Sequence, residues 1–194
     1  MPSRRRGTAL DTAGQARAAR SVMEGLDNMV WNGWGGQVEN YTVYGFTNHP
    51  DRNTSAGSDW DDFVGNDADT VRGDVLTAIE GLEDDEFQAG NTGYLFYLGR
   101  GAYQALRRWD TGTDQERGLL ERLREEFEDV TFRQAPTLAT DEAVMFKPVE
   151  DVVELAVASD LQNVEWETGS GWTMIMKIMG AMTPIVKSDT ENKS

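Results

Sequence analysis

From about Ala9 to Trp31 the chain repeats its apolar residues at helical spacing. Ala19, Val22, Met23, Leu26, Met29 and Val30 recur three and four apart, while Arg17, Arg20, Glu24 and Asp27 supply a polar side. That pattern predicts one long amphipathic helix. Thr8 and Asp11 stand ahead of it at capping-box separation, with Asp in place of the longer Glu. Gly33, Gly35 and Gly36 stop it.

The segments that follow are shorter and change period. Residues 37–47 alternate, with Val38, Tyr41, Val43, Tyr44 and Phe46, and read as one strand or a short hairpin. Residues 48–66 have turn and loop chemistry. A second helix is expected over Asp69 to Leu82, striped by Val71, Val75, Ile79 and Leu82. Gly93 to Leu98 is a buried type of strand, turning through Gly99 and Gly101 into the helix AYQALRRW. Thr113 or Asp114 can cap the next helix, QERGLLERLREEF, with Leu119, Leu120, Leu123 and Phe127 as its buried line. VTFRQ and EAVMFKP read as strands, so this region alternates helices and strands around a sheet. Residues 149–160 fit a helical face or a Val-rich strand equally. VEWE and WTMIMKIMGAMTPIVK read as a closing hairpin, and SDTENKS as a disordered tail.

Composition removes several function classes. A net charge of −16 over 194 residues repels phosphates across most of the surface and argues against a general nucleic-acid binder. Arg4, Arg5 and Arg6 form the one basic cluster, read as a flexible solvated end over residues 1–8. With no cysteine there is no disulfide framework, thiolate nucleophile or zinc–sulfur site. Only four of the 18 cations are Lys. An acidic, lysine-poor surface suits a salty cytoplasm, although GC-rich coding would also favour Arg.

The candidates for chemistry are weak. His49, the single histidine, sits in Asn48-His49-Pro50, which is turn chemistry, and no nucleophile elbow surrounds Ser170, Ser55 or Ser58. Asp59, Asp61 and Asp62 begin like a calcium loop, but Phe63, Val64 and Thr70 stand where that loop needs a ligand, a glycine and a bidentate Glu. Gly99 and Gly101 lack the Lys and Ser or Thr of a phosphate loop. Met174, Met176, Met179 and Met182 suit core packing or a pliable subunit contact. No catalytic residue, metal or cofactor is expected.

Leu10-Asp11, Ala16, Ala18-Ala19-Arg20 and the run Asp27 to Gly33 resemble the first helix and its exit in the major capsid proteins of tailed viruses and in the encapsulin shells, which share the Hong Kong phage-type capsid fold. Leu26 stands where an acid is usual. Gly45-Phe46-Thr47-Asn48 is similar to the Gly-Leu-Leu-Asn-like turn that follows there. Asp151 to Val157 resembles the family's late strand, which tips residues 149–160 towards strand. Val164 to Glu167 and Trp172 to Val186 resemble its closing hairpin. The family's N-terminal arm and extended β-loop would precede the first helix; here only Met1 to Thr8 do, so the resemblance is to a short form.

The resemblance implies an α+β fold: a spine helix and β-rich loop over 9–65 in a peripheral domain, an axial domain over 66–150 with a mixed sheet flanked by helices, and strands over 151–187 returning to the peripheral domain. It implies no enzyme. The expected function is a major capsid subunit, many copies of which form pentamers and hexamers of an icosahedral shell around viral DNA, with no sequence-specific DNA contact and no membrane. Other capsid or scaffolding proteins are further partners; the virion, assembled in the host cytoplasm, is the expected location. The alternative is an encapsulin-type nanocompartment shell, and a distant one a small hydrolase using His49. The expected subunit contacts are Arg17, Arg20, Glu24 and Asp27 on the helix, and Trp34, Tyr41, Tyr44, Phe46 and Trp60 on the aromatic loop.

Overall fold

A computed structural model describes residues 3–38, 40–50, 52–60, 68–83, 93–107, 118–150, 152–168 and 173–187. The chain divides into two compact units, one of Met1–Gly45 with Leu155–Pro184, the other of Phe46–Glu154 with Ile185–Ser194.

In the first unit, α1 runs Ser3–Asn32. It starts six residues before the expected Ala9, so residues 3–8 are helical and not an irregular end. Thr8 and Asp11 therefore lie inside the helix and do not cap it. Arg is a good helix former and Ser3–Thr8 has no proline, so the single Gly7 weakens this turn without ending it. The stop is as expected: Gly33 takes φ 72° and donates its N–H to the Met29 carbonyl at 2.9 Å, a left-handed cap that a side chain would strain. Leu26 and Trp31 are buried, with Ala19, Val22 and Met29 half-buried on the same side as Leu26. Met23, expected in that stripe, is 61% exposed because it falls on the flank of the helix.

The strands β1 (Trp34–Val38) and β2 (Tyr41–Val43) form an antiparallel hairpin with an irregularity between Trp34 and Gln37 and a left-handed Asn40 at the turn. Gly45 returns against the end of α1, where a Cβ would collide with the Trp31 carbonyl. Of the late strands, the last has the extent expected and the one before it is longer than expected. β6 (Val153–Thr168) joins residues 153–160 and 164–167 in one 16-residue strand, where the sequence had suggested two, and pairs with β7 (Thr173–Val186) as a two-stranded sheet. Four connecting residues allow only an antiparallel pair. A Cβ at Gly180 on β7 would lie 3.1 Å from Leu26 and 3.6 Å from Leu161, so α1 rests on this ribbon.

The second unit holds most of the core. β3 (Tyr94–Leu98) is the middle strand of three, parallel to β4 (Val130–Gln134) and antiparallel to β5 (Ala143–Phe146), a mixed sheet. Tyr94, Phe96 and Leu98 alternate with half-buried Leu95 and Tyr97. Against the first face pack Val71 and Val75 of α2 (Ala68–Glu83), Ala102, Ala105 and Leu106 of α3 (Arg100–Leu106), and Leu120 and Leu123 of α4 (Leu119–Glu126). Leu119 and Phe127 pack at its margin, as expected of that line. α4 carries Gly118 at its N-cap; Thr113 and Asp114 lie outside the described residues. Gly99 is indispensable for a steric reason, since a Cβ there would overlap the Ala139 carbonyl oxygen. Its N–H donates to Glu142 O at 2.8 Å, and Ala102 N–H to Thr140 O at 3.2 Å.

Candidate functional site

The loop from Phe46 to Trp60 belongs to the second unit and is pinned there by its own aromatics. Phe46 stacks on Phe146 at 5.2 Å, and Phe146 on Tyr97 at 5.8 Å, on the second face of the sheet. Trp60 stands edge-on to Phe96 at 5.9 Å on the first face. Asp74 of α2 holds this end of the loop: it accepts from the Trp60 indole N–H at 2.7 Å and the Ser58 N–H at 2.8 Å. Trp60 keeps only 9% of its surface in water. Trp60 is therefore not the exposed side chain that was expected, and Phe46, stacked on Phe146, is half-buried. Nothing in sequence signals that Asp74 satisfies the indole, which is what makes burying it affordable.

His49 occupies a turn, where its carbonyl accepts from the Arg52 guanidinium at 2.7 Å and from the Arg52 backbone N–H at 3.4 Å. Asp59 is exposed, while Asp61, Asp62 and Ser170 lie outside the described residues. Among the described residues no group of acids and histidine could hold a metal ion, and no helix is long and apolar enough to cross a membrane.

One ionisable cluster is internal to the sheet. Lys147 is 7% exposed, with its Nζ 5.1 Å from the centre of the Tyr94 ring. The Tyr94 hydroxyl donates to Glu83 Oε1 at 2.8 Å. Burial, then the hydrogen bond and charge of Glu83, push the Tyr94 phenol up to about 12. The cation over the ring and the bonded hydroxyl tie β3, β5 and α2 together.

The remaining expected contacts lie at the surface of the first unit. Arg17, Arg20, Glu24 and Asp27 are all exposed and share one face of α1, opposite the side that carries Ala19, Val22, Leu26 and Met29. Trp34 on β1 is 50% exposed and Tyr44 beyond β2 is also exposed. The side chain of Tyr41 lies outside the described set.

A row of exposed apolar residues among the described residues was not anticipated from the sequence. On β6, Leu155, Val157, Leu161, Val164 and Trp166 are all exposed, as is Met179 on β7. Met182 is half-buried, and the side chains of Met174 and Met176 are outside the described set. Apolar residues alternate at Val153, Leu155, Val157 and Leu161, and the phase shifts by one residue before Val164 and Trp166, so the sequence does not read as a single strand. Of eleven large hydrophobic side chains exposed among the described residues, only Leu76 and Ile185 belong to the second unit. A soluble monomer rarely concentrates that much apolar surface in one region.

Two comparisons with known proteins found matches. A family model described as "Encapsulating protein for peroxidase" matches residues 2–183. Twenty-nine chains of solved structures match. One is the crystal structure of a virus-like particle from Pyrococcus furiosus, 14% identical, with a TM-score of 0.57, covering 73% of this chain. The chain spans 55% of the length of that structure. No curated protein matches.

Proposed function

From the premise that the chain belongs to the family of encapsulating proteins, we propose that it is a shell-forming subunit of the encapsulin type. Many copies enclose a protein cargo. The observation that carries this is the first unit, which exposes nine large apolar side chains among the described residues, more than a free monomer usually gathers. In a closed shell each subunit meets several neighbours at once, so individually weak contacts suffice. Heterologous contacts close into rings when the rotation per subunit allows.

The family's described role, encapsulating a peroxidase, favours protein cargo over a viral genome. The net charge of −16 points the same way, because a strongly acidic subunit offers phosphates little. A tailed-virus capsid is the other use of the same resemblance, and it makes a different forecast. Purified protein viewed by negative stain should show closed particles of uniform size, with the absorbance ratio of protein free of nucleic acid. Particles filled with DNA would turn the reading to the capsid. A chain that stays monomeric at high concentration, in low and in high salt, would remove both.

A further inference from the structure

The exposed face of α1 carries four charges in an order that a lone helix does not reward. Arg17, Arg20, Glu24 and Asp27 follow one another at intervals of three, four and three residues. That is the spacing of a coiled-coil seam, which keeps them on one narrow strip. Along it the basic pair comes first and the acidic pair second. The helix dipole favours the reverse, with acids near the N-terminus and bases near the C-terminus. α1 has no acid in its first turn and no base in its last. Within the helix, Arg before Glu at a separation of four is also the weaker order. The pattern is thus poorly explained as a device for stabilising α1 itself.

It is explained by a second α1 running the other way. Arg17 and Asp27 are centred on position 22, and so are Arg20 and Glu24. An antiparallel partner crossing at that level sets each Arg opposite an acid, twice over. A parallel partner would set like against like. Nucleic acid would be repelled by Glu24 and Asp27, and an acidic peptide by the same pair. Ala13, Ala16 and Ser21 are exposed beside the charges, so the two helices can approach closely over that stretch, while Trp31, next on the strip, is buried by its own chain and marks the strip's end. Met23 sits one residue from the crossing and is 61% exposed, which places it to pack on the partner's Met23.

We propose that α1 packs antiparallel on α1 of a second copy, about a two-fold axis at the level of Val22, pairing Arg17 with the partner's Asp27 and Arg20 with the partner's Glu24. The contact is isologous. It specifies one interface of the shell proposed above and takes from that reading only the expectation of several copies. Being exposed and ionic, it weakens as salt rises.

Charge reversal in trans tests it. Arg17→Asp with Arg20→Glu makes the strip wholly acidic; Glu24→Arg with Asp27→Arg makes it wholly basic. Each double variant alone should lose at least about tenfold of its two-fold association in sedimentation velocity, because like charges now face each other. An equimolar mixture of the two should recover it, and so should one chain carrying all four reversals. Unchanged helical circular dichroism excludes a folding defect, and the four-fold reversal keeps the test decisive if one double variant misfolds. Wild-type association in either double variant, or a mixture no better than its parts, overturns the contact. Shells from wild type and both variants alike would remove this interface and leave the shell reading standing. Rescue in the mixture without any wild-type shell would do the opposite.

Discussion

The two units differ in what they do with apolar side chains. In the second, helices α2, α3 and α4 and the loop ending in Trp60 close over a three-stranded sheet, and Val75, Leu98, Leu106 and Leu123 are all but sealed from water. In the first, a 30-residue helix and a two-stranded ribbon bury Leu26 and Trp31 but leave Leu155, Val157, Leu161 and Trp166 in water. A two-stranded hairpin is marginal by itself, and long unprotected strand edges invite another chain. One unit completes its core from its own sequence. The other leaves apolar side chains uncovered, and the proposed shell contacts would cover them.

The largest expected effect comes from applying one substitution to both. Leu123→Ala should cost the isolated subunit about 2–5 kcal/mol, because it opens a cavity in a sealed site. Leu155→Ala should move subunit stability by no more than about 0.5 kcal/mol, yet lower particle yield. Urea melts of dissociated subunits and particle counts measure the two. Equal costs at both positions would erase the contrast.

Hydrogen exchange gives the next test. In dissociated subunits, β6 and β7 amides should exchange at least about a hundredfold faster than those of β3, since they open without unfolding the sealed core. Assembly should slow β6 and β7 far more than β3. If the ribbon is already protected in free subunits, the first unit is self-sufficient and the comparison fails.

Asp74→Ala probes how the loop before α2 is held in the second unit. It leaves the buried Trp60 indole without its acceptor and releases the Ser58 N–H, a loss of about 1–3 kcal/mol. Melting followed by tryptophan fluorescence should show it; a neutral result would mean that Trp60 is held by packing on Phe96 alone.

The smallest effect is a pH dependence at Tyr94. Its phenol is raised to about 12 in the folded state, against 10.0 when unfolded. The folded chain therefore keeps its proton longer, so this contribution is complete below pH 10 and fades as pH rises towards 12. Tyr94→Phe should flatten that part of the stability profile relative to wild type. An identical slope in both would show that Tyr94 does not supply it.

Much of this fold was legible in advance. The helix stop at Gly33, the stripe Val71–Val75–Ile79–Leu82, and the strands Val130–Gln134 and Tyr94–Leu98 follow from residue spacing and turn chemistry, which act over a few positions. The exposure of the candidate contact residues was half legible. Arg17, Arg20, Glu24 and Asp27 form the exposed face that their spacing predicts, and Trp34 and Tyr44 are exposed as expected. Phe46 and Trp60 were misread because their partners, Phe146 and Asp74, lie 100 and 14 residues away.

The sequence alone determined the periods: which segments turn every 3.6 residues, which alternate, where glycine must stand, and that the chain carries a large negative charge. Only the tertiary structure decided which apolar faces are covered. A Leu at strand spacing reads the same whether a helix lies over it or water does. Leu98 and Leu155 are such a pair, one sealed and one 47% exposed. Burial depends on what the rest of the chain brings to that face, and no local pattern carries that information.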